Sequence, residues 1–322
     1  MENKLVAVID EMSEVLDVAQ LRKLQEVMLK HFAENSTQKE SITNDAYLKL
    51  FLDAKKIEGC SDRTIACYRS TVDHFIHSIN EPVRTVPTET IRAYLADYHN
   101  RSKCSKVTVD NIRRNISSFF SWLEEEDYIL KSPMRRIHKI KTAKVVKQII
   151  SDEGIEILRD SCSQPRDLAI IDMLYSTGMR VGELVNLNIT DINFEQRECI
   201  VFGKGDKERR VYFDAKTKIH LQNYLRTRTD DSPALFVTLD APHKRLKISG
   251  VEIRLRELGR RNNLEKIHPH KFRRTMATRA IDKGMPIEQV QKILGHSQID
   301  TTMQYAIVNQ NNVKASHQKY IS

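Results

Sequence analysis

Nowhere does this chain string together the roughly 18 apolar residues that a membrane-crossing helix requires. Its first residues also lack the apolar core of a secretion signal. Cysteine is scarce: Cys60, Cys67, Cys104, Cys162 and Cys199 are odd in number and scattered, with no C-x-x-C pair. That pattern excludes a disulfide scaffold and a zinc ribbon, and reads as reduced thiols in a cytoplasmic protein. No cluster with metal-ligand spacing stands out, so neither a metal nor another cofactor is expected. Acidic residues are outnumbered, 43 against 52 lysines and arginines, for a formal charge of +9 over 322 residues. Such an excess favours a polyanionic partner such as nucleic acid.

A chain of this length is expected to hold about two domains. Residues 1–38 read as a helical extension: Leu5, Val8, Ile9, Met12 and Leu16 mark one amphipathic face, Leu21, Leu24, Met28 and Phe32 a second. Asp17 with Gln20 three residues on is a capping-box signal between them. Residues 39–130 read as an all-helical domain, with periodicity at Tyr47–Lys56, Arg63–Ile79, Thr88–Tyr98 and Val107–Glu126. Caps are expected at Ser61 or Asp62, at Thr88 and at Ser105. The last helix carries Lys106, Asn111, Arg113, Arg114 and Asn115. Asn and Arg there have the donors and acceptors to read base edges, although a merely solvated face gives the same pattern.

Residues 131–148 form a basic linker containing Lys131, Arg135, Arg136, Lys139, Lys141, Lys144 and Lys147 without an acidic residue. Self-repulsion should keep it extended, suited to tracking a phosphate backbone. Residues 149–322 read as mainly helical with a small β insertion. Strands are expected at Glu198–Phe202 and Arg209–Phe213 around a Gly203–Lys207 turn, with a third at Leu235–Thr238. Helices are expected at Ile155–Ser161, Arg166–Thr177, Gly178–Leu187, Val251–Arg261, His270–Lys283 and Pro286–Leu294.

This last region holds the residues for one chemistry. Attack on a phosphodiester crowds negative charge onto phosphorus, and guanidinium groups stabilise that state with paired hydrogen bonds. Arg180 and Arg273 are candidates for such a clamp, His270 and His296 for added donors, and Tyr305 for the nucleophile. Glu183, one helical turn beyond Arg180, is spaced to pair with it or to orient a histidine. A tyrosine hydroxyl is mostly protonated at neutral pH, so a base is needed, and His270 fits the role. Lys204, on a glycine-flanked hairpin, is the candidate acid for the departing 5′ oxygen. Each signal alone is weak, since an isolated H-x-x-R or a lysine in a turn is common in a basic chain.

In combination they are specific. TGMRVGEL around Arg180, GKGDKER around Lys204, HPHKFRRTMAT around His270 and Arg273, and LGHSQIDTTMQY ending in Tyr305 resemble the motifs of the tyrosine recombinases, the phage-integrase family. The likeness covers the catalytic half throughout, and GCSDRTIACYRSTVDHFI resembles the family's core-binding domain. Arg274 departs from the pattern, standing where many members have a second histidine. The resemblance implies a mainly α fold with a small β-sheet: a SAM-like helical bundle plus an α+β catalytic domain. It also implies site-specific recombination through a 3′-phosphotyrosyl intermediate and a Holliday junction, without metal or ATP. Implied partners are double-stranded DNA with inverted half-sites, a homotetramer joined by exchange of the tail Ala306–Ser322, and a DNA-bending accessory protein. A bacterial cytoplasmic protein bound to the nucleoid is implied, with an N-terminal length suggesting a mobile-element integrase or invertase. Two alternatives stay open: a type IB topoisomerase, which reseals without exchanging partners, and a DNA-binding protein without catalysis.

Overall fold

A computed structural model of the chain describes residues 11–12, 15–34, 42–142, 148–203 and 208–305. The chain divides into two compact units between residues 145 and 146. In the first, α1 spans Val18–Glu34. Its start matches the capping-box expectation. Asp17 Oδ1 accepts from the Ala19 and Gln20 N–H groups at 2.9 Å, and Gln20 Oε1 accepts from the Asp17 N–H at 3.1 Å. Most of the helix expected upstream lies outside the described residues.

Four helices then form the body of this unit: α2 (Asn44–Ile57), α3 (Asp62–Ile76), α4 (Thr88–Ser102) and α5 (Lys106–Glu125). Thr43, Ser61 and Ser105 each cap a helix by accepting a backbone N–H three residues on. Thr88 does not act as the expected cap. Extended Pro87 precedes α4, and the buried Thr88 hydroxyl instead donates to the Pro133 carbonyl at 2.8 Å. The apolar stripes of these helices face inward: Val72, Phe75 and Ile76 meet Ile116, Phe119, Phe120 and Trp122. Their rings pack edge to face, Phe51 to Phe119 at 5.4 Å and Phe75 to Phe120 at 5.9 Å. Contacts of this kind add about 0.5–1.5 kcal/mol beyond area burial.

The basic segment after α5 corrects an expectation. Up to Ile140 it is folded back onto this unit rather than extended by its charge. Ile129 and Met134 are buried, Ile137 and Ile140 pack beside them, and a 3-10 turn spans Pro133–Arg136. Asp110 accepts the Ile140 N–H at 3.0 Å, and Arg92 donates to the Arg136 carbonyl at 3.0 Å. Apolar residues interleaved with the cations supply a burial term that exposed like charges, screened by water and salt, do not overcome.

In the second unit come α6 (Asp152–Asp160), α7 (Pro165–Thr177) and α8 (Val181–Asn186). An antiparallel sheet follows, ordered β1 (Ile192–Asn193), β2 (Glu198–Phe202) and β3 (Glu208–Tyr212). Its register pairs Ile192 with Cys199 and Cys199 with Val211, so one face, with Val201, closes on the core. The third strand is therefore Ile192–Asn193 and not Leu235–Thr238; the latter region makes only isolated bridges, Asn188 to Ala234 and Val237 to Arg245. Helix α9 (Ala215–Arg226) was not anticipated. Its buried stripe is Thr217, Leu221 and Tyr224, helically spaced, but one of the three is polar and masks the pattern.

The unit closes with α10 (Ile248–Arg261), α11 (Pro269–Asp282), α12 (Ile287–Leu294) and the short α13 (Asp300–Met303). Helix α7 is buried on nearly every side and packs against α9 and α11. Its charged residues are matched: Asp167 accepts from Arg166 at 2.7 Å and from Arg254 at 2.5 Å, and Asp172 from Arg159 at 2.7 Å. Buried ions are tolerated only when paired in this way. The architecture is the expected one, mainly helical with a small sheet.

Candidate active site

The site forms where the C-termini of α7 and α12 meet the buried face of α11. Gly178 ends α7 with φ +62°, and a Cβ there would lie 2.1 Å from Met276 Cε on α11. Glycine takes this left-handed backbone without strain, and any side chain here would also have to push aside the flexible end of Met276. The sharp exit delivers Arg180 to the start of α8. Its N–H donates to Glu183 Oε2 at 2.7 Å and its Nη1 to Oε1 at 2.9 Å, so the expected pairing of Arg180 with Glu183 forms. Glu183 is buried, and it receives a second guanidinium: Arg209 from β3 donates Nη1 to Oε1 and Nη2 to Oε2, both at 2.6 Å. Burial pushes the Glu183 carboxyl up, but the hydrogen bonds from Arg209 and the Arg180 N–H outweigh it and hold the group below its ordinary value.

Arg273 is 2% exposed, one of the largest fully buried side chains. Its Nη1 donates to the Gly178 carbonyl at 2.7 Å and its Nη2 to the Leu294 carbonyl at 2.5 Å, bridging the two helix ends. Cations belong at helix C-termini, where the last carbonyls lack partners. Burial, then the neighbouring Arg180 and Arg209, push Arg273 down to about 10, which still leaves it charged at neutral pH. Arg180 also reaches this backbone, with Nη2 3.5 Å from the Gly295 carbonyl.

His296 follows directly. Its Nε2 lies 3.0 Å from Arg273 Nη2, a donor only, so Nε2 must be the acceptor. The ring proton therefore sits on Nδ1, which donates to Thr302 Oγ1 at 2.9 Å. Burial first, and then Arg273, push His296 down to about 4, so the neutral ring is the form at physiological pH. The sequence pointed to His296 as an added donor for an anion. In this arrangement both of its nitrogens are engaged inside the protein, and it orients Arg273. Tyr305 stacks on the His296 ring with centroids 6.1 Å apart and an interplanar angle of 28°. The Tyr305 N–H donates to the Thr302 carbonyl at 2.9 Å, and the residue packs against Ala277, Val290 and Leu294. Its hydroxyl lies within electrostatic range of Arg273 and Arg274. Three guanidiniums around one carboxylate leave this pocket with an excess of positive charge, suited to an anion.

Five of the expected residues, Arg180, Glu183, Arg273, His296 and Tyr305, are thus brought together. His270 is exposed in the first turn of α11, one turn before Arg273. Lys204 lies outside the described residues. Arg209 and Thr302 went unremarked in the sequence. Arg209 is one of several cations in GKGDKERR, and Thr302 one of two adjacent threonines in LGHSQIDTTMQY; nothing local distinguishes either.

The candidate DNA-binding residues divide. Lys106, Asn111 and Arg114 are exposed on α5, although Arg114 also donates to Asn111 Oδ1 at 2.7 Å. Arg113 is turned inward, 12% exposed and bound to Asp110 at 2.8 Å. Asn115 bridges to α3 through Thr71 at 2.9 Å. Arg113 is thus tied within α5 and Asn115 ties α5 to α3, a correction to the expectation that they lie on a face open to a ligand or to solvent. Arg136, Lys139 and Lys141 are exposed, and Arg135 is ion-paired with Glu124. Lys144 and Lys147 lie outside the described residues. Among the described residues, no helix is long and apolar enough to cross a membrane.

Residues 140–312 match the phage integrase family, and residues 47–130 match the phage integrase N-terminal SAM-like domain. Tyrosine recombinase XerC of Leptospira interrogans is 33% identical over 299 residues, covering 87% of this chain and 94% of that protein. Tyrosine recombinase XerA of Pyrococcus furiosus is 31% identical over 282 residues, covering 86% of this chain and 94% of its own. The fold is shared with the Tn1549 transposon integrase in complex with transposon right end DNA, with a TM-score of 0.69 at 19% identity, covering 86% of this chain and 99% of that one. It is shared too with the XerH site-specific recombinase bound to palindromic difH substrate, with a TM-score of 0.68 at 18% identity, covering 99% of this chain and 94% of that one.

Proposed function

The chain belongs to the phage integrase family, and from that premise we propose that it is a site-specific tyrosine recombinase with Tyr305 as its nucleophile. The observation that carries this reading is the convergence of Arg180, Arg273, His296 and Tyr305 on the backbone at Leu294–Gly295. Arg180 and Arg273 bind the non-bridging oxygens of the scissile phosphate, and His296 holds Arg273 in place. The Tyr305 hydroxyl attacks phosphorus while His270 takes its proton. The bond to the 5′ oxygen breaks, Lys204 protonates that oxygen, and a 3′-phosphotyrosyl link remains. A 5′-hydroxyl from the partner duplex then attacks the same phosphorus and releases Tyr305, exchanging one strand. A second exchange resolves the Holliday junction.

The phosphotyrosine conserves the bond energy, so the cycle needs no ATP, and the arginines take the electrostatic part a metal would otherwise play. DNA with inverted half-sites is the substrate. The exposed cations Lys106, Arg114, Arg136, Lys139 and Lys141 make the sequence-independent phosphate contacts, and Asn111 is left to read base edges. Residues 39–130 bind DNA, 131–148 connect, and 149–322 carry out the chemistry. A homotetramer assembles on two sites through exchange of the segment 306–322, which lies outside the described residues, and an accessory DNA-bending protein assists. The protein acts in the bacterial cytoplasm, on the nucleoid.

The test is covalent trapping in cells expressing the protein or its Tyr305→Phe variant. Denaturation, recovery of protein-linked DNA and sequencing of its ends should give adducts at paired inverted half-sites that vanish in the variant. Adducts that persist without Tyr305, or none despite strong DNA binding, would overturn the reading.

A further inference from the structure

Arg209 has no place in the reaction described above, yet three hydrogen bonds tie it to the groups that do. All three of its nitrogens are committed: Nη1 and Nη2 to the two oxygens of Glu183, at 2.6 Å each, and Nε to the Ile293 carbonyl at 2.8 Å. Its side chain is 10% exposed, against 36% for Arg180. Arg209 thus spends three of its five N–H donors inside the protein and is largely covered, while Arg180 has an open face. The polypeptide is shaped around this crossing. Gly295 ends α12 with φ +63°, and a Cβ there would lie 2.8 Å from Arg209 Cδ and 3.1 Å from its Nε.

Glu183 lies at the centre of this arrangement. Its side chain is 4% exposed, and a buried carboxylate needs a counter-ion. Two guanidiniums compete for it. Arg209 takes it through both oxygens, whereas Arg180 reaches only Oε1 with its side chain, at 2.9 Å. The fork of one arginine matches one carboxylate, so the fork of the other is left over. We propose that Arg209 is a positioning residue that satisfies Glu183, so that the charge and fork of Arg180 remain available to a phosphate. Glu183 then fixes the Arg180 backbone through its N–H and engages only one nitrogen of its side chain. The inference rests on the reading of Arg180 and Arg273 as a phosphate clamp.

Charge counting separates this role from a merely structural one. Arg209→Met removes one positive charge and frees Glu183 to draw in the Arg180 fork. The Glu183→Gln change in the same chain removes the carboxylate that would do so. If Arg209 acts through charge, the double variant recovers what the single variant loses; if it only fills space, two lesions are worse than one. The probe is sulfate, titrated calorimetrically into the full-length protein at pH 7.5. The signal followed is the binding component that Arg180→Gln abolishes.

Loss of one neighbouring charge and capture of the fork should weaken this component about tenfold in Arg209→Met. In Arg209→Met with Glu183→Gln the affinity should return to within about threefold of wild type. An unaltered Arg209→Met, a double variant as weak as the single one, or a wild type without the component overturns the proposal. Should Arg209→Met fail to fold, Arg209→Lys decides. It gives up the fork that holds both Glu183 oxygens, so the component should weaken, and an unaltered Arg209→Lys, or one that Glu183→Gln does not restore, overturns the proposal. Sulfate binding requires no chemistry, so this outcome is readable even if no covalent DNA adduct is ever trapped.

Discussion

Replacing Thr302 by valine should damage the site through a single hydrogen atom. Valine has nearly the shape of threonine, so packing at this fully buried position is kept while the hydroxyl is lost. The Nδ1–H of His296 then has no acceptor, since Thr302 Oγ1 at 2.9 Å is the group that receives it. Moving the proton to Nε2 gives no escape, because that nitrogen lies 3.0 Å from Arg273 Nη2 and donor would face donor. A buried donor left without a partner costs about 1–3 kcal/mol. For a unit of about 150–250 residues each kcal/mol moves the melting point by about 2–4 °C, so a fall of about 2–12 °C is expected. Far-UV circular dichroism would record it. Trp122, the only tryptophan, lies in the other unit, and its fluorescence transition should stay where it was. His296 should also lose its grip on Arg273 and its stacking against Tyr305, so covalent-adduct yield should fall about tenfold or more, a loss of the size expected when a group around a transition-state charge is misplaced. Thr302→Ser, which keeps the hydroxyl, should restore both readouts. A Thr302→Val protein that melts and cleaves like wild type would refute the tautomer assignment and the linkage built on it.

Other expectations follow from the same geometry. Gly295→Ala should destabilise the second unit by about 1 kcal/mol or more, because alanine disfavours the positive φ and its methyl displaces Arg209; thermal melting checks it. His296 is held neutral, at about 4 in the folded chain against about 6.5 unfolded, so the unfolded state binds more protons between those values. This contribution to stability should be fully present above pH 6.5 or so and be lost as pH falls toward about 4, and His296→Gln should flatten that part of the profile. Asp110→Ala removes the acceptor of Arg113 and of the Ile140 N–H, and should destabilise the first unit by about 1–3 kcal/mol, read by Trp122 fluorescence in urea. Lys139→Gln should lower the salt slope of DNA binding by about 1, whereas inward-turned Arg113 should contribute little to that slope.

Much of the first unit was legible because its helices obey local rules. Ser61 and Ser105 cap where hydroxyl residues precede a periodic apolar run, and the stripe from Ile116 to Trp122 faces inward as its spacing demands. Failures occurred where a distant partner overruled a local preference. Thr88 is an ordinary cap by type, but the Pro133 carbonyl, 45 positions away in sequence, captures its hydroxyl. The basic segment after α5 has the charge of an extended linker, but Ile129 and Met134 anchor it to a core that a local reading cannot see. Helix α9 was missed because one of its three buried positions is a threonine.

The same division runs through the site. Sequence alone determined that two arginines, a lysine, two histidines and a tyrosine stand in four short motifs of a basic chain, because residue types and short spacings are local properties. It could not determine which of those groups would face a ligand and which would face one another. Only the tertiary structure decided that Glu183 is shared by Arg180 and Arg209, and that His296 accepts from Arg273 and donates to Thr302. Those pairings join residues up to 26 positions apart through hydrogen bonds of fixed direction and short range. Such bonds exist only once burial has removed the competing water, and burial is a property of the folded chain as a whole.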